Sequence, residues 1–254
     1  MIKILISAGG TSEKIDDVRR ITNSGTGRLG AKIAEAFAAS CPGCSITYIC
    51  SENAVRPEHS GNERVCGDVN DVMEAVRQAC AETAFDVIVH SMAISDYQVR
   101  AVSDSALMTQ NVIERLSALA CGDSSSPEEA IRDALLSPPE VKANKISSEK
   151  EDLIVVLKKA PKIIAMLRGL SPDSVIIGFK LLSGVSEEEL ADAGLGLLKK
   201  NDCDFVFAND MRTVHGDSHK GILVARDGTY KSASGKDKIA ELIVSSVLKR
   251  LSGQ

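Results

Sequence analysis

The segment Ile21 to Gly30, ITNSGTGRLG, carries a G-x-G-x-x-G spacing at Gly25, Gly27 and Gly30. Such a spacing binds a pyrophosphate when its first glycine closes a strand and its last opens a helix, because N–H groups at the helix start then face the anion. Here the residues from Ala8 to Ser24 separate the first apolar run from Gly25, an interval too long for the dinucleotide fingerprint. Glu52, just past the second apolar run, does stand where a ribose-binding acid is expected. An NAD(P)-dependent oxidoreductase built on the G-T-G-R-L-G loop is thus the alternative reading. The other is a phosphate cradle of different design, in which Ser24, Gly25, Thr26 and Gly27 offer backbone donors and Arg19, Arg20 and Arg28 offer charge. Asn23, directly before the cradle, is a neutral amide donor able to hold a developing oxyanion at any ordinary pH. By type alone it is equally a loop or capping Asn.

Other residues with chemical potential lack the company that chemistry needs. Cys41 and Cys44 form a lone C-P-G-C, which without a second ligand pair reads as a turn between helix and strand. His215 and His219 have a spacing that suits a metal, but no third ligand is evident; His90 ends an apolar run and reads as a half-buried strand residue. No G-x-x-x-x-G-K-[ST] pattern occurs.

The bulk properties narrow the class. A chain of 254 residues, 44% hydrophobic and 26% charged, is expected to form one globular domain. A formal net charge of −5 and 3% aromatic residues give nucleic acid neither an electrostatic footprint nor a stacking surface. No run approaches the roughly 20 apolar residues of a membrane span. Seven scattered cysteines fit reduced thiols, hence a cytoplasmic protein.

The elements that must position these residues alternate. Ile2 to Ile6, Ile46 to Cys50 and Phe85 to Val89 read as buried strands, with helices from Gly27 to about Ala39 and around Val72 to Ala79. Asp104 to Asn144 breaks the rhythm, with the polar run C-G-D-S-S-S-P-E-E and helical pieces at Val112 to Leu119 and Pro127 to Leu136. It reads as an inserted arm or flap, at about 104–150. The rhythm is expected to resume with a strand at Leu153 to Leu157, a helix near Pro161 to Leu167, a strand at Val175 to Gly178, a helix from Glu187 to Lys200 and a strand at Phe205 to Ala208. A hairpin (Gly221 to Ala225, Tyr230 to Ser232) and a final helix bearing Ile239, Leu242, Ile243 and Val247 close the chain. This order predicts an α/β, Rossmann-like, mostly parallel sheet with helices on both faces, plus a C-terminal hairpin. Ligands gather beyond the carboxyl ends of such strands, which selects Ser7 to Gly30, His90 to Val99, Gly178 to Leu182 and Ala208 to Asp210.

With these segments assembled, the chain resembles phosphopantothenoylcysteine synthetase, also called phosphopantothenate-cysteine ligase. The resemblance rests on ISAGGTSEKIDDVRRITNSGTGRLG, SMAISDYQV, KISS, GFKLL and FVFAND, in that order and over nearly the full length. The GFKLL form resembles stand-alone bacterial members, which lack the fused flavoprotein decarboxylase domain of many relatives. The resemblance implies a cytoplasmic homodimer that joins 4'-phosphopantothenate and L-cysteine through an acyl-nucleotidylate, with Mg²⁺ and CTP, ATP being the eukaryotic choice.

It also implies residue roles. Asn23 would hold the acyl-nucleotidylate, and Lys145, in KISS, would sit on a mobile flap that assists the second half-reaction. Arg19 would bind the substrate phosphate, in the family from the neighbouring subunit, and Met92 and Ala93 would touch the intermediate. Gly10, Ser24, Gly25, Gly27, Gly30, Asp96, Phe179, Lys180 and Asn209 would line the nucleotide site. Two departures stand out: K-L-L-S follows Phe179 where fused bacterial members read A-A-E-T, and Met92 replaces a usual alanine.

Overall fold

A computed structural model describes residues 1–58, 61–120, 126–141, 144–216 and 218–253. Its elements run β1 (Lys3–Ala8), β2 (Ser12–Lys14), β3 (Arg20–Thr22), α1 (Arg28–Ser40), β4 (Ser45–Ser51), β5 (Asn62–Cys66), α2 (Val69–Glu82), β6 (Val87–His90), β7 (Tyr97–Ser103), α3 (Ser105–Ala120), α4 (Pro127–Leu136) and β8 (Ile154–Lys159). They continue with α5 (Ile164–Leu170), β9 (Val175–Leu182), α6 (Glu187–Asn201), β10 (Phe205–Asp210), β11 (Lys220–Ala225), β12 (Tyr230–Ser234) and α7 (Lys236–Leu251). By their contacts the residues divide into two compact units. One holds Met1–Thr11, Asn23–Ile94 and Lys162–Gln254; the other holds Ser12–Thr22 and Ser95–Pro161.

The first unit is built on an eight-stranded sheet of order β12-β11-β10-β9-β6-β1-β4-β5. The six strands from β10 to β5 are parallel, and β11 and β12 add an antiparallel hairpin at one edge. Central strands read as unbroken apolar runs because helices cover both faces: every residue of β6, VIVH, is buried. On one face Ile33, Ala34 and Phe37 of α1, with Ile239, Ile243 and Val247 of α7, pack on Ile6, Tyr48, Val89, Ile177 and Phe207. Each of the Ile, Val and Phe side chains among them, fully buried, contributes about 1.5–3 kcal/mol of transfer free energy. On the other face α6 places Leu190 against Ala208, Ile222 and Val224. The helix α6 is locally well specified. Ser186 and Glu189 form a capping box, three glutamates occupy the first turn, and Lys199 and Lys200 occupy the last, where the helix dipole favours them. The chain goes from β1 to β4 on one side and then to β6 on the other, so the strand order reverses between β1 and β6. That reversal is where such sheets bind ligands.

The second unit pairs β2 with β3 and, separately, β7 with β8, both antiparallel. Two helices, α3 and α4, lie between β7 and β8 in the chain, and Asn111 Nδ2 donates to the Ala134 carbonyl (2.9 Å) to join them. The expected strand at Leu153 to Leu157 exists as β8, but its partner is β7 rather than the parallel sheet. Its apolar run is only half-buried, so the continuous-run rule misassigned it. The unit is wider than the expected 104–150 arm, beginning at Ser95 and drawing in Ser12–Thr22. Residues 121–125, the start of the polar C-G-D-S-S run, lie outside the described residues.

Candidate active site

The glycine-rich segment is woven into the ends of β1 and β6. Beyond β6, Ser91 N donates to the Ser7 carbonyl (3.1 Å), Ala93 N to Gly9 O (2.9 Å) and Thr11 N to Ala93 O (3.1 Å), continuing the parallel ladder past both strands. Asn23 N then donates to Thr11 O (3.0 Å), Gly25 N to Asn23 O (2.8 Å), and Val55 N to Thr26 O (3.0 Å). The loop is thereby laid across three strand ends. At Gly10 a Cβ would stand 2.0 Å from the Asn23 carbonyl oxygen, so only glycine permits the crossing. Gly27, at φ 73°, turns the chain into α1 and as N-cap has no side chain to offer, while Thr26 Oγ1 accepts Arg28 N at a long 3.5 Å. The first-turn N–H groups and the positive end of the helix dipole are the features that attract a phosphate. Gly30 is buried in that first turn.

Asn23 is half-buried, with its backbone N–H and carbonyl both engaged and its carboxamide making no hydrogen bond among the described residues. Ser24 is exposed. Ala93 is half-buried and would lie 3.1 Å from a Cβ at Gly25; Met92 is buried on the opposite side of that strand. Phe179 packs with Phe207 on the α1 and α7 side, ring centroids 5.6 Å apart, and Asn209 lies two residues beyond Phe207 on that same side. Lys180 pairs with Ala208, which packs on α6. The pleat therefore turns Phe179 and Lys180 to opposite faces, and they do not come together.

Sequence reasoning reached Asp210 within the selected Ala208 to Asp210 segment but gave it no role. Asp210 accepts N–H groups from Arg212 (2.9 Å), Gly184 (3.0 Å) and Val185 (3.2 Å), and these hold its carboxyl below the usual range. It clamps the turn after β9, a role with no local sequence signature. His90 is buried as expected. Its Nδ1 lies 2.8 Å from Ser7 Oγ, and burial lowers its pKa to about 4. His219 is also buried, edge-on to Phe207 at 5.6 Å, with neither ring nitrogen partnered among the described residues. Burial, then the charge of Lys236, lowers its pKa to about 4. Among the described residues no three His, Cys, Asp or Glu side chains are placed to hold a metal ion.

In the second unit, Arg19 Nη1 donates to Asp16 Oδ2 (2.6 Å) and to the Ile146 carbonyl (3.2 Å). Burial would raise the Asp16 pKa, but the N–H groups of Arg19, Val18 and Ile146, with the guanidinium, outweigh it and hold the pKa at about 2. Lys145 is exposed beside Ile146. Asp96 is exposed, and its carbonyl accepts Ala160 N (2.9 Å) at the foot of the β7–β8 pair.

Residues 1–119 and 131–251 match the family described as DFP, the DNA/pantothenate metabolism flavoprotein C-terminal domain. The chain is 28% identical over 250 residues to the coenzyme A biosynthesis bifunctional protein CoaBC of Thermococcus kodakarensis, covering 98% of this chain and 51% of that protein. It is 29% identical over 249 residues to the corresponding protein of Methanocaldococcus jannaschii, covering 97% and 50%. The chain thus spans about half the length of the curated relatives it matches. Among solved structures it is similar to the DNA/pantothenate metabolism flavoprotein from Streptococcus pneumoniae, with a TM-score of 0.78 and 32% identity over 98% of this chain and 100% of that one. A Cab2 mutant in complex with phosphopantothenate-cysteine shares the fold at 18% identity, with a TM-score of 0.65 over 98% and 86% of the two chains.

Proposed function

The chain belongs to the family of the DNA/pantothenate metabolism flavoprotein C-terminal domain, and from that premise we propose that it joins 4'-phosphopantothenate to L-cysteine in coenzyme A biosynthesis, activating the acid with CTP. The observation that carries this reading is the woven glycine loop, with the glycine-capped start of α1 and the unengaged carboxamide of Asn23 at one strand switch point. A triphosphate needs the first two features, and an acyl oxyanion needs the third. The substrate carboxylate attacks the α-phosphate, pyrophosphate leaves, and an acyl-nucleotidylate forms. The cysteine amine then attacks the acyl carbon and the nucleoside monophosphate leaves. Asn23 donates to the acyl oxygen as charge gathers there. Ala93, Gly10, Gly25, Gly27 and Gly30 keep the backbone close to the phosphates, while Phe179 and Asn209 face the base. Lys145 supplies a point charge, and Arg19 receives the substrate phosphate; Lys180, turned to the face opposite Phe179, takes no part. Mg²⁺ would supply charge neutralisation on the triphosphate oxygens, where this ion is usually carried.

The oxidoreductase alternative is disfavoured by the path of the chain. Gly25 follows a β2–β3 excursion rather than a strand end, so its backbone is not delivered as the dinucleotide motif requires. A second copy of the chain is part of the reading, supported by exposed apolar side chains on α3 and α4: Ile113, Leu116, Ile131 and Leu135. Cytoplasmic residence is supported by the six described cysteines, all free thiols.

Pyrophosphate release tests the reading, measured with Mg²⁺ and either CTP or ATP, with and without phosphopantothenate and cysteine. Release that depends on phosphopantothenate and favours CTP is expected. Folded protein that releases none with either nucleotide would overturn the assignment.

A further inference from the structure

Arg19 and Lys145 are far apart in the chain, yet one buried carboxylate reaches both of their segments. The Asp16 side chain is 1% exposed. Its Oδ1 accepts N–H from Val18 (2.8 Å) and Arg19 (2.6 Å); its Oδ2 accepts Ile146 N (3.2 Å) and Arg19 Nη1 (2.6 Å). Arg19 Nη1 also donates to Ile146 O (3.2 Å), and Asp17 N donates to Asn144 O (2.9 Å). The residues on either side of Lys145 are therefore both tied to the Asp16–Arg19 turn. The guanidinium makes these two bonds through Nη1, and Nε and Nη2 have no partner among the described residues, while the side chain is 38% exposed.

A phosphate monoester is best met by two parallel N–H groups of one guanidinium. Building on the ligase reading above, we infer that Asp16 is the positioning residue of the substrate-phosphate site: it holds Nη1 of Arg19 so that the Nε–Nη2 edge is turned outward to the phosphate. The negative charge of Asp16 does not compete for that edge, because three backbone N–H groups and Nη1 already satisfy it. The same carboxylate fixes the Lys145 loop, so the two cationic groups share one anchor.

The test is steady-state turnover of the full chain against phosphopantothenate for the wild type, Asp16→Asn, Arg19→Gln and the double variant. Each single variant is expected to raise the phosphopantothenate KM by about tenfold to hundredfold while the CTP KM stays near wild type. The double variant is expected to be no worse than Arg19→Gln, because Asp16 acts through Arg19. An unchanged KM in Asp16→Asn overturns the inference. So does an Asp16→Asn effect of equal size when Arg19 is already Gln, since that describes mere loop support. If Asp16→Asn fails to fold, Arg19→Lys decides: it keeps a charge for Asp16 but loses the fork, so wild-type KM in that variant overturns the inference. A wild type that turns over no phosphopantothenate fails the ligase reading itself, and this inference with it.

Discussion

At the scale of single residues, Asn23 and His219 make opposite predictions about stability and function. Asn23→Ala removes a carboxamide that makes no hydrogen bond among the described residues, so folding is expected to be little changed. Product formation should fall about 100- to 1,000-fold, as for removal of one oxyanion donor. Turnover assays beside nucleotide-binding isotherms check this, and retained turnover would remove Asn23 from the mechanism. His219 pays a desolvation cost for two nitrogens with no partner among the described residues, so His219→Phe is expected to stabilise the protein by roughly 1–3 kcal/mol, read by chemical denaturation near neutral pH. Both buried histidines also set an acid limit. Their folded pKa values of about 4 lie below the unfolded 6.5, so the unfolded chain takes up protons first as pH falls. Stability is complete above about 6.5 and is lost between there and about 4, by about 3 kcal/mol for His90 alone. A pH series of denaturation curves should show that slope, and His219→Phe should make it shallower.

At the scale of elements, the glycine crossing is the most exacting contact. Gly10→Ala forces a Cβ into the Asn23 carbonyl and is expected to lower the melting temperature and to weaken nucleotide binding more than Phe37→Ala does. The latter should cost about 3–5 kcal/mol of core packing while leaving the loop intact. Melting curves and nucleotide titrations of the two variants separate the effects. The parallel strands were legible in the sequence because β1, β4, β6 and β9 are apolar runs between turn signals. Other elements were not. In β7 a bulge between Val99 and Ala101 breaks the alternation; β5, NERVC, is a polar edge strand that reads as loop; β2 and β3 are three residues each. Among the candidate site residues, the glycine crossing was legible through spacing, whereas Asp16, whose role is proposed above, was passed over. An Asp two residues before an N–H it can accept is a turn signal, but nothing local says that Ile146 will arrive as its other partner.

At the scale of the whole molecule, no helix among the described residues is long and apolar enough to cross a membrane. The exposed apolar side chains of α3 and α4 then need another explanation, and the second copy proposed above provides one. Ile113→Glu with Leu135→Glu is expected to shift the chain to monomer in analytical ultracentrifugation, at unchanged helical content. A wild type already monomeric at micromolar concentration would refute this arrangement. The ladder that seats the glycine loop has a different bearing on how the chain reaches its native state. It joins Ser7 to Ser91 and Gly9 to Ala93, partners with α1, β4, β5, α2 and β6 between them in the chain, and closing so long a loop is slow compared with forming α1 or α6. The proposed nucleotide site is thus assembled late. A refolding chain should regain its helical circular dichroism before it can retain nucleotide, and for that interval it would be compact yet inactive.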